Sequence, residues 1–515
     1  MTPVLLALPV LAPLGAAGLL VLWSRNHLGG SPAVPRVVGW GVTATVLAVS
    51  VTLLTDTLDG EVQTLQLGGW PPGIAIVLVA DVLAALMMTV TALLVLLSLV
   101  FAAATGEDDG HMIVLAMVLS TGVYGAVLTG DLFSLFVFVE MMLVPSYVLL
   151  IRSGGQRRLA AGQRYVSVNL LASTLFLAGV GLLYGVTGTV SLGELAGAAR
   201  APAAAIATAV VLLALGIKSA VVPWHSWLPG SYAVAGPAVV VLFSGLLTKV
   251  GVYALFRVYA VVFDGDRRWL WVFLVLAVIT MVVGVLAALG ERSMRSVLTF
   301  HMVSQIGYML LGLGLFTTAG LSAGVFFLIQ YVLVKAALLM CAGAIEVTYG
   351  TDELRRLGGL GRTEPALAIA FGVSALALVG VPPLSGFVAK LHLVQAAVSE
   401  QHYVAVAAVA VVSLLTLTSM LKLWNAVFTE PEHSAPPDAG RPTASTSVLA
   451  PAPAVALFPK AGRIAPRRLL LAPMLLLTGL AVVLGLAAEP LLEVCERAAE
   501  GLIDVRAYVE AVSSP

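Results

Sequence analysis

The chain has 515 residues, 60% of them hydrophobic and 10% charged, with 27 basic residues against 27 acidic ones and a mean hydropathy of +1.04. Water-soluble globules carry about 25% charged residues, so this composition excludes one and requires an all-α polytopic membrane protein. A balanced charge gives no reason to expect nucleic acid as a partner.

Crossing a hydrocarbon core of about 30 Å takes roughly 20 apolar residues. With that ruler the chain predicts about 14 transmembrane helices, near 3–23, 36–55, 78–103, 111–129, 131–152, 163–185, 201–235, 237–262, 269–290, 296–316, 320–347, 366–397, 402–428 and 469–488. The first has no basic start and reads as a permanent span rather than a removed signal. Residues 1–110 then form an N-terminal unit of three helices and residues 111–428 the core. Residues 429–468, rich in Pro, Ala, Ser and Thr, read as a cytoplasmic linker, and 469–515 as a last transmembrane helix with a tail.

Basic residues in short loops stay in the cytoplasm. One set of alternate loops holds sixteen Lys and Arg, including Arg36, Arg152, Arg158 and Arg295, and the other holds Arg200, Arg267 and Arg268. This predicts both termini outside the cell membrane. The acidic run Glu107, Asp108, Asp109 falls on the basic side, but acidic residues contribute little to the rule. Cys341 and Cys495 are too few and too far apart to suggest a disulfide framework or a metal site. With no nucleotide-binding, CxxC or HExxH pattern in a usable context, no cofactor and no metal are expected.

The chemistry is concentrated in charges inside the spans. An ionisable side chain at the bilayer centre costs about 2.5–3.5 kcal/mol, so by default it marks a functional site. Lys218, Lys249, Lys335 and Lys390 lie deep in spans, and Glu140 sits midway along DLFSLFVFVEMMLVPSYVLL. The bland reading of Glu140 is a structural partner for one lysine, and that of Lys249 and Lys335 is snorkelling to an interface. Lys218 precedes Pro223, and Lys390 follows Gly380, Pro382, Pro383 and Gly386, so helices 7 and 12 are predicted to break beside a lysine. Paired breaks of this kind point to inverted repeats around a midplane ion site. His301 opens the polar stretch HMVSQIGY and is either a packing residue or a relay, and His225 follows the first break as an accessory candidate. Lys422 and Arg257, near helix ends, read as snorkelling side chains, and Asp81 and Asp131 as helix caps.

These stretches, together with GIKSAVVPWHSWLPGSYAVAGPAVVVLFSGLLTKVGVYALFR and PPLSGFVAKLHL, resemble the proton-translocating antiporter-like subunits shared by complex I, membrane-bound hydrogenases and Mrp cation/proton antiporters. The resemblance covers about residues 130–425. It implies two inverted five-helix repeats, helices four to eight and nine to thirteen. It also implies a proton relay in which Glu140 pairs with Lys218 and the path continues through Lys249, Lys335 and Lys390, with His301 sharing the task. Where the family often has histidines before the Lys335 position, this chain has Phe327 and Tyr331; a phenylalanine cannot pass a proton, and Tyr331 is an accessory at most. A lysine at 390 and the lack of a long C-terminal lateral helix are most similar to the D-type subunits of the Mrp antiporters, with an antiporter-like subunit of complex I or of a membrane-bound hydrogenase as the alternative. Either reading implies other membrane subunits as partners and no catalytic step in this chain. One central carboxylate against four lysines suits protons better than sodium, which is expected to use a partner or an interface.

Overall fold

The computed structural model describes residues 4–26, 33–68, 76–152, 154–429 and 467–513, so most of the predicted linker at 429–468 lies outside the described residues. Helices α1 (Val4–Asn26) and α2 (Ala33–Thr57) lead into a hairpin of β1 (Gln63–Leu67) and β2 (Ile76–Ala80), antiparallel with Gln63 opposite Ala80. Next come α3 (Val82–Thr105), α4 (Gly110–Leu128), α5 (Leu132–Ile151), α6 (Gln156–Thr187), α7 (Pro202–Lys218), the one-turn α8 (Trp227–Tyr232) and α9 (Pro237–Phe263). The second half has α10 (Leu270–Gly290), α11 (Met294–Leu315), α12 (Thr318–Tyr349), the short α13 (Leu360–Thr363), α14 (Pro365–Val379), α15 (Ser385–Ser399) and α16 (Tyr403–Trp424). Helix α17 (Arg467–Leu486) crosses last, and α18 (Glu489–Ile503) and α19 (Arg506–Ser513) end the described chain.

Among the described residues, twelve helices are long and apolar enough to cross a bilayer. Two further predicted spans, 201–235 and 366–397, are each split, into α7 with α8 and α14 with α15, which completes the fourteen. From α4 to α9 and from α10 to α16 the order is the same: three continuous spans, one broken, one continuous. Five is odd, so the second set enters the bilayer from the side opposite to the first, and the repeats are inverted. The third predicted span begins later than expected, because β-branched Ile76–Ala80 pairs as a strand and Asp81 then caps α3 by accepting from the Ala84 amide.

Helix α9 is buried along its whole length and α12 from Gly320 to Ile345, and the two form the centre. Lipid tails give apolar helices no hydrophobic drive to associate, so small residues that permit close approach do much of the work. A Cβ on Gly284 would sit 2.3 Å from the Ser304 amide nitrogen, and one on Gly307 2.6 Å from the Ala277 carbonyl oxygen, so these two glycines set the contact of α10 with α11.

The acidic run is answered by arginines on its own face. Asp108 pairs with Arg36 at 2.5 Å and Asp109 with Arg152 at 3.0 Å, while the Glu107 carboxylate accepts from the Ala238 amide at the start of α9. Burial pushes the Glu107 carboxyl above its usual range, against the pull of Arg152, Arg295 and Arg158. On the other face Arg200 pairs with Asp264, Arg267 with Glu400 and Arg268 with Asp266. The tail adds Arg497, which meets the Leu58 carbonyl, and Arg506, which meets Asp504.

Arg257 does not snorkel. It is 3% exposed, pairs with Asp81 at 2.5 Å and lies 4.4 Å from the centroid of the Tyr508 ring. The reason is tertiary: α19 folds back over the end of α9 and closes off the water that a snorkelling arginine would need. Lys422 is held too, donating to the Leu289 and Glu291 carbonyls at the end of α10. Breaking a buried pair leaves an uncompensated charge. Asp81→Ala is therefore expected to destabilise the protein by about 3–5 kcal/mol, and Asp81→Leu with Arg257→Met to recover most of it, read as thermal unfolding of the purified protein.

Candidate functional site

Helix α5 carries Glu140 near its middle, and its side chain is 28% exposed on the outside of the isolated chain. Its inner edge meets α7, where Lys218 is 5% exposed and places Nζ 3.3 Å from Glu140 Oε1. Ser173 of α6 joins them: its hydroxyl accepts from Lys218 Nζ at 2.9 Å and donates to Glu140. Carboxylate, hydroxyl and ammonium thus form one cluster drawn from three helices.

Lys218 is the last residue of α7. The chain then enters the left-handed region at Ala220, with φ of 58°, and helical hydrogen bonding stops. Backbone groups freed at membrane depth need protein partners. Here the Trp227 indole donates to the Ile217 carbonyl and the Val222 amide donates to the Thr280 hydroxyl. The second break has the same logic with other residues. Gly380, at φ of 91°, ends α14, and Gly386 lets α15 pass so close that a Cβ would sit 1.7 Å from the Ala377 carbonyl oxygen. Lys390 reaches back from α15 and donates to the carbonyls of Leu378 and Val379, at 3.2 and 2.7 Å, and to the Ser413 hydroxyl at 3.1 Å. Lys390 therefore holds its ammonium group at the C-terminal, electronegative end of a half-helix, where a cation is favoured, while that of Lys218 is held by Glu140 and Ser173.

Lys249 and Lys335 are wholly buried, which removes the snorkelling alternative for both. Lys249 donates to the Thr248 hydroxyl at 3.1 Å and lies 4.6 Å from the Tyr331 ring centroid. Lys335 Nζ has no hydrogen-bond partner among the described residues. His301 is buried, with Nε2 2.9 Å from the Ser419 hydroxyl. His225 is half-buried in a 3-10 turn, and its Nδ1 has no hydrogen-bond partner among the described residues. The structure thus brings Glu140 and Lys218 into contact and places Lys335 on α12 and Lys249, His301 and Lys390 on α9, α11 and α15, which pack against it. It leaves His225 to the side.

Three participants are not in the sequence reading. Ser173 bridges the first pair, and Ser413 and Ser419 of α16 serve Lys390 and His301. Ser173 does carry a weak signal, because Asn169, Ser173 and Thr174 interrupt an apolar stretch of α6. The interior also holds polar atoms with no partner among the described residues, including Tyr124 Oη, Gln305 Nε2, Gln330 Oε1 and His301 Nδ1. Leaving such groups dry costs about 1–3 kcal/mol each, so they favour internal water.

Against this geometry, the family model described as NADH:quinone oxidoreductase/Mrp antiporter, transmembrane, matches residues 129–416. The D subunit of the Na(+)/H(+) antiporter of Alkalihalophilus pseudofirmus is 35% identical over 517 residues, spanning 99% of each protein. The chain belongs to the D-type branch of this antiporter family. A chain in the solved Mrp complex from Dietzia sp. matches at 45% identity with a TM-score of 0.90, over the whole of both chains. A chain of respiratory complex I from Thermus thermophilus, solved with NADH, matches at 25% identity with a TM-score of 0.77, covering 97% of this chain and all of that one. The family model begins two residues before Asp131 and ends three after Ser413, so it takes in every lysine of the site, Glu140 and His301.

Ser173 bonds two charged groups, and hydrogen bonds to charges contribute about 1.5–3 kcal/mol each. Ser173→Ala is expected to lower stability by an amount in that range, measured by thermal unfolding of the purified protein.

Proposed function

We propose that this chain is the proton-conducting subunit of a multisubunit sodium/proton antiporter in the cell membrane, with no chemical step of its own. The observation that carries the reading is the Glu140–Ser173–Lys218 cluster, followed by three more lysines buried in one bilayer-spanning core. The likeness to the sodium/proton antiporter protein of A. pseudofirmus and to a chain of the Dietzia Mrp complex supports the antiporter assignment.

In this reading Glu140 and Lys218 form the switch. At an effective dielectric near 20, a charge pair at 3.3 Å is worth about 5 kcal/mol, more than three decades in the proton affinity of the lysine. Opening or closing the pair therefore moves Lys218 between holding and releasing its proton. The proton passes over water to Lys249, on through Lys335 and His301, and leaves by Lys390, with Tyr331 and His225 as accessories. Water reaches the unpartnered interior atoms and completes the path. Sodium crosses elsewhere, at an interface with a partner subunit, since a hard cation needs several oxygen ligands and the core offers ammonium groups.

The partly exposed Glu140 supports a partner subunit on the α5 side, because lipid tails give a carboxylate nothing to bond to. Residues 111–428 act as the conducting core and 1–110 and 469–515 as flanking units, joined by a cytoplasmic linker. Both termini lie outside. The three arginines of the sparsely charged loops are each matched by an acid, and the tail's Arg497 and Arg506 still leave sixteen basic residues against five. A redox-driven proton pump is the second reading, favoured by the likeness to the complex I chain.

The test uses everted vesicles holding the assembled complex and a respiration-driven pH gradient. Sodium is expected to dissipate the gradient in wild type, and Lys218→Ala to slow this at least tenfold while assembly persists. A wild type insensitive to sodium, in which an electron donor itself drives proton pumping, would support the redox reading instead.

A further inference from the structure

Between Lys249 and Lys390 the chain places a column of aromatic rings. Tyr331 and Phe327 are one turn apart on α12, with ring centroids 6.4 Å apart and planes 12° from parallel. Phe327 lies face to face with Tyr308 of α11, at 4.9 Å and 5°. A lysine closes each end: Lys249 Nζ lies 4.6 Å from the Tyr331 centroid and Lys390 Nζ 4.9 Å from that of Tyr308. All three rings are wholly buried.

Proton transfer needs donors and acceptors within hydrogen-bond reach or a water with two to four polar partners. The stack supplies neither at its middle. Phe327 has no polar atom, its ring stacked on that of Tyr308 offers a water no partner, and the Tyr308 hydroxyl is held by Ser413 and the Val409 carbonyl. The ring faces do favour cations at both ends, which holds each ammonium where it is. Around the stack lie other polar groups. Lys335, wholly buried and without a hydrogen-bond partner among the described residues, is one turn beyond Tyr331 on α12, and His301 of α11 is bonded to Ser419 of α16, the helix whose Ser413 also holds Lys390.

We propose that the contact of Phe327 with Tyr308 is a dry partition that closes the direct line between Lys249 and Lys390, with Tyr331 on its Lys249 side, and obliges protons to travel by Lys335 and His301. Phe327 is its essential member, and its role is positional: it insulates and carries nothing. The proposal rests on the proton-path reading above.

The experiment measures sodium-dependent dissipation of a respiration-driven pH gradient in everted vesicles with the complete complex, normalised to the amount assembled. His301→Gln is expected to slow the rate at least tenfold. Adding Phe327→His, which puts a titratable ring into the partition, is expected to bring it back to within about threefold of wild type. Adding Phe327→Leu, which breaks the stack but carries no proton, is not. A purely structural role for Phe327 does not produce rescue by histidine alone. If His301→Gln does not assemble, Ser419→Ala, which removes only the hydroxyl beside Nε2, takes its place in the same series. A wild-type rate in the His301 variant, or equal rescue by leucine, or no rescue by histidine, would overturn the partition and leave the Lys218 result standing. A wild type with no sodium-dependent signal, or one that Lys218→Ala leaves intact, would overturn both.

Discussion

An ammonium group in the middle of a bilayer must find negative potential without bulk water, and most of this structure follows from that need. Lys218 meets it with Glu140 and Ser173, and Lys390 with two carbonyls at the end of a half-helix. The breaks in α7–α8 and α14–α15 are what make such carbonyl ends available at depth. They are tolerable because Trp227 and Thr280 satisfy the backbone groups set free at the first, and Lys390 itself satisfies those at the second. Lys249 meets the need with a hydroxyl and an aromatic face, and Lys335, which has no protein partner among the described residues, favours internal water.

Around this interior the two rims are built differently. The face that carries the acidic run is laced by Arg36, Arg152, Arg158 and Arg295, which bond the α3–α4 loop, the end of α8 and the start of α11 into one layer. The opposite face is roofed by the hairpin and by α18 and α19, with Tyr508 laid over Arg257. Sealing at both rims matters for a proton path, since a core open to bulk water on both sides would short-circuit the gradient it uses.

Much of this was legible from the chain because membrane insertion imposes strong local rules. Span positions follow from hydropathy over some twenty residues, and proline and glycine beside Lys218 and Lys390 mark the breaks directly. What escaped depends on residues distant in sequence. Arg257 reads as a snorkelling residue until Asp81, 176 positions away, and Tyr508 are brought beside it. Ser173 is one hydroxyl among many in a helix, and it also lies within reach of the Asn169 carbonyl of its own helix, the bond such a serine ordinarily makes. The hairpin was hidden because Ile76–Ala80 is apolar enough to extend the next span, and short amphipathic α18 and α19 fall below the length that a membrane ruler detects. Phe327 and Tyr331 were visible as departures from the family pattern. The stacking of Phe327 on Tyr308 was not, because it depends on how α11 and α12 face each other.

The central claim is that Glu140 and Lys218 act as one unit, and a double-mutant cycle on proton flux tests it most directly. Rates of sodium-dependent gradient dissipation would be compared among wild type, Glu140→Ala, Lys218→Ala and the double variant, each normalised to assembled complex. A functional pair is expected to be strongly non-additive, with the double variant no slower than Lys218→Ala alone. Losses that simply multiply would show two independent residues and contradict the switch.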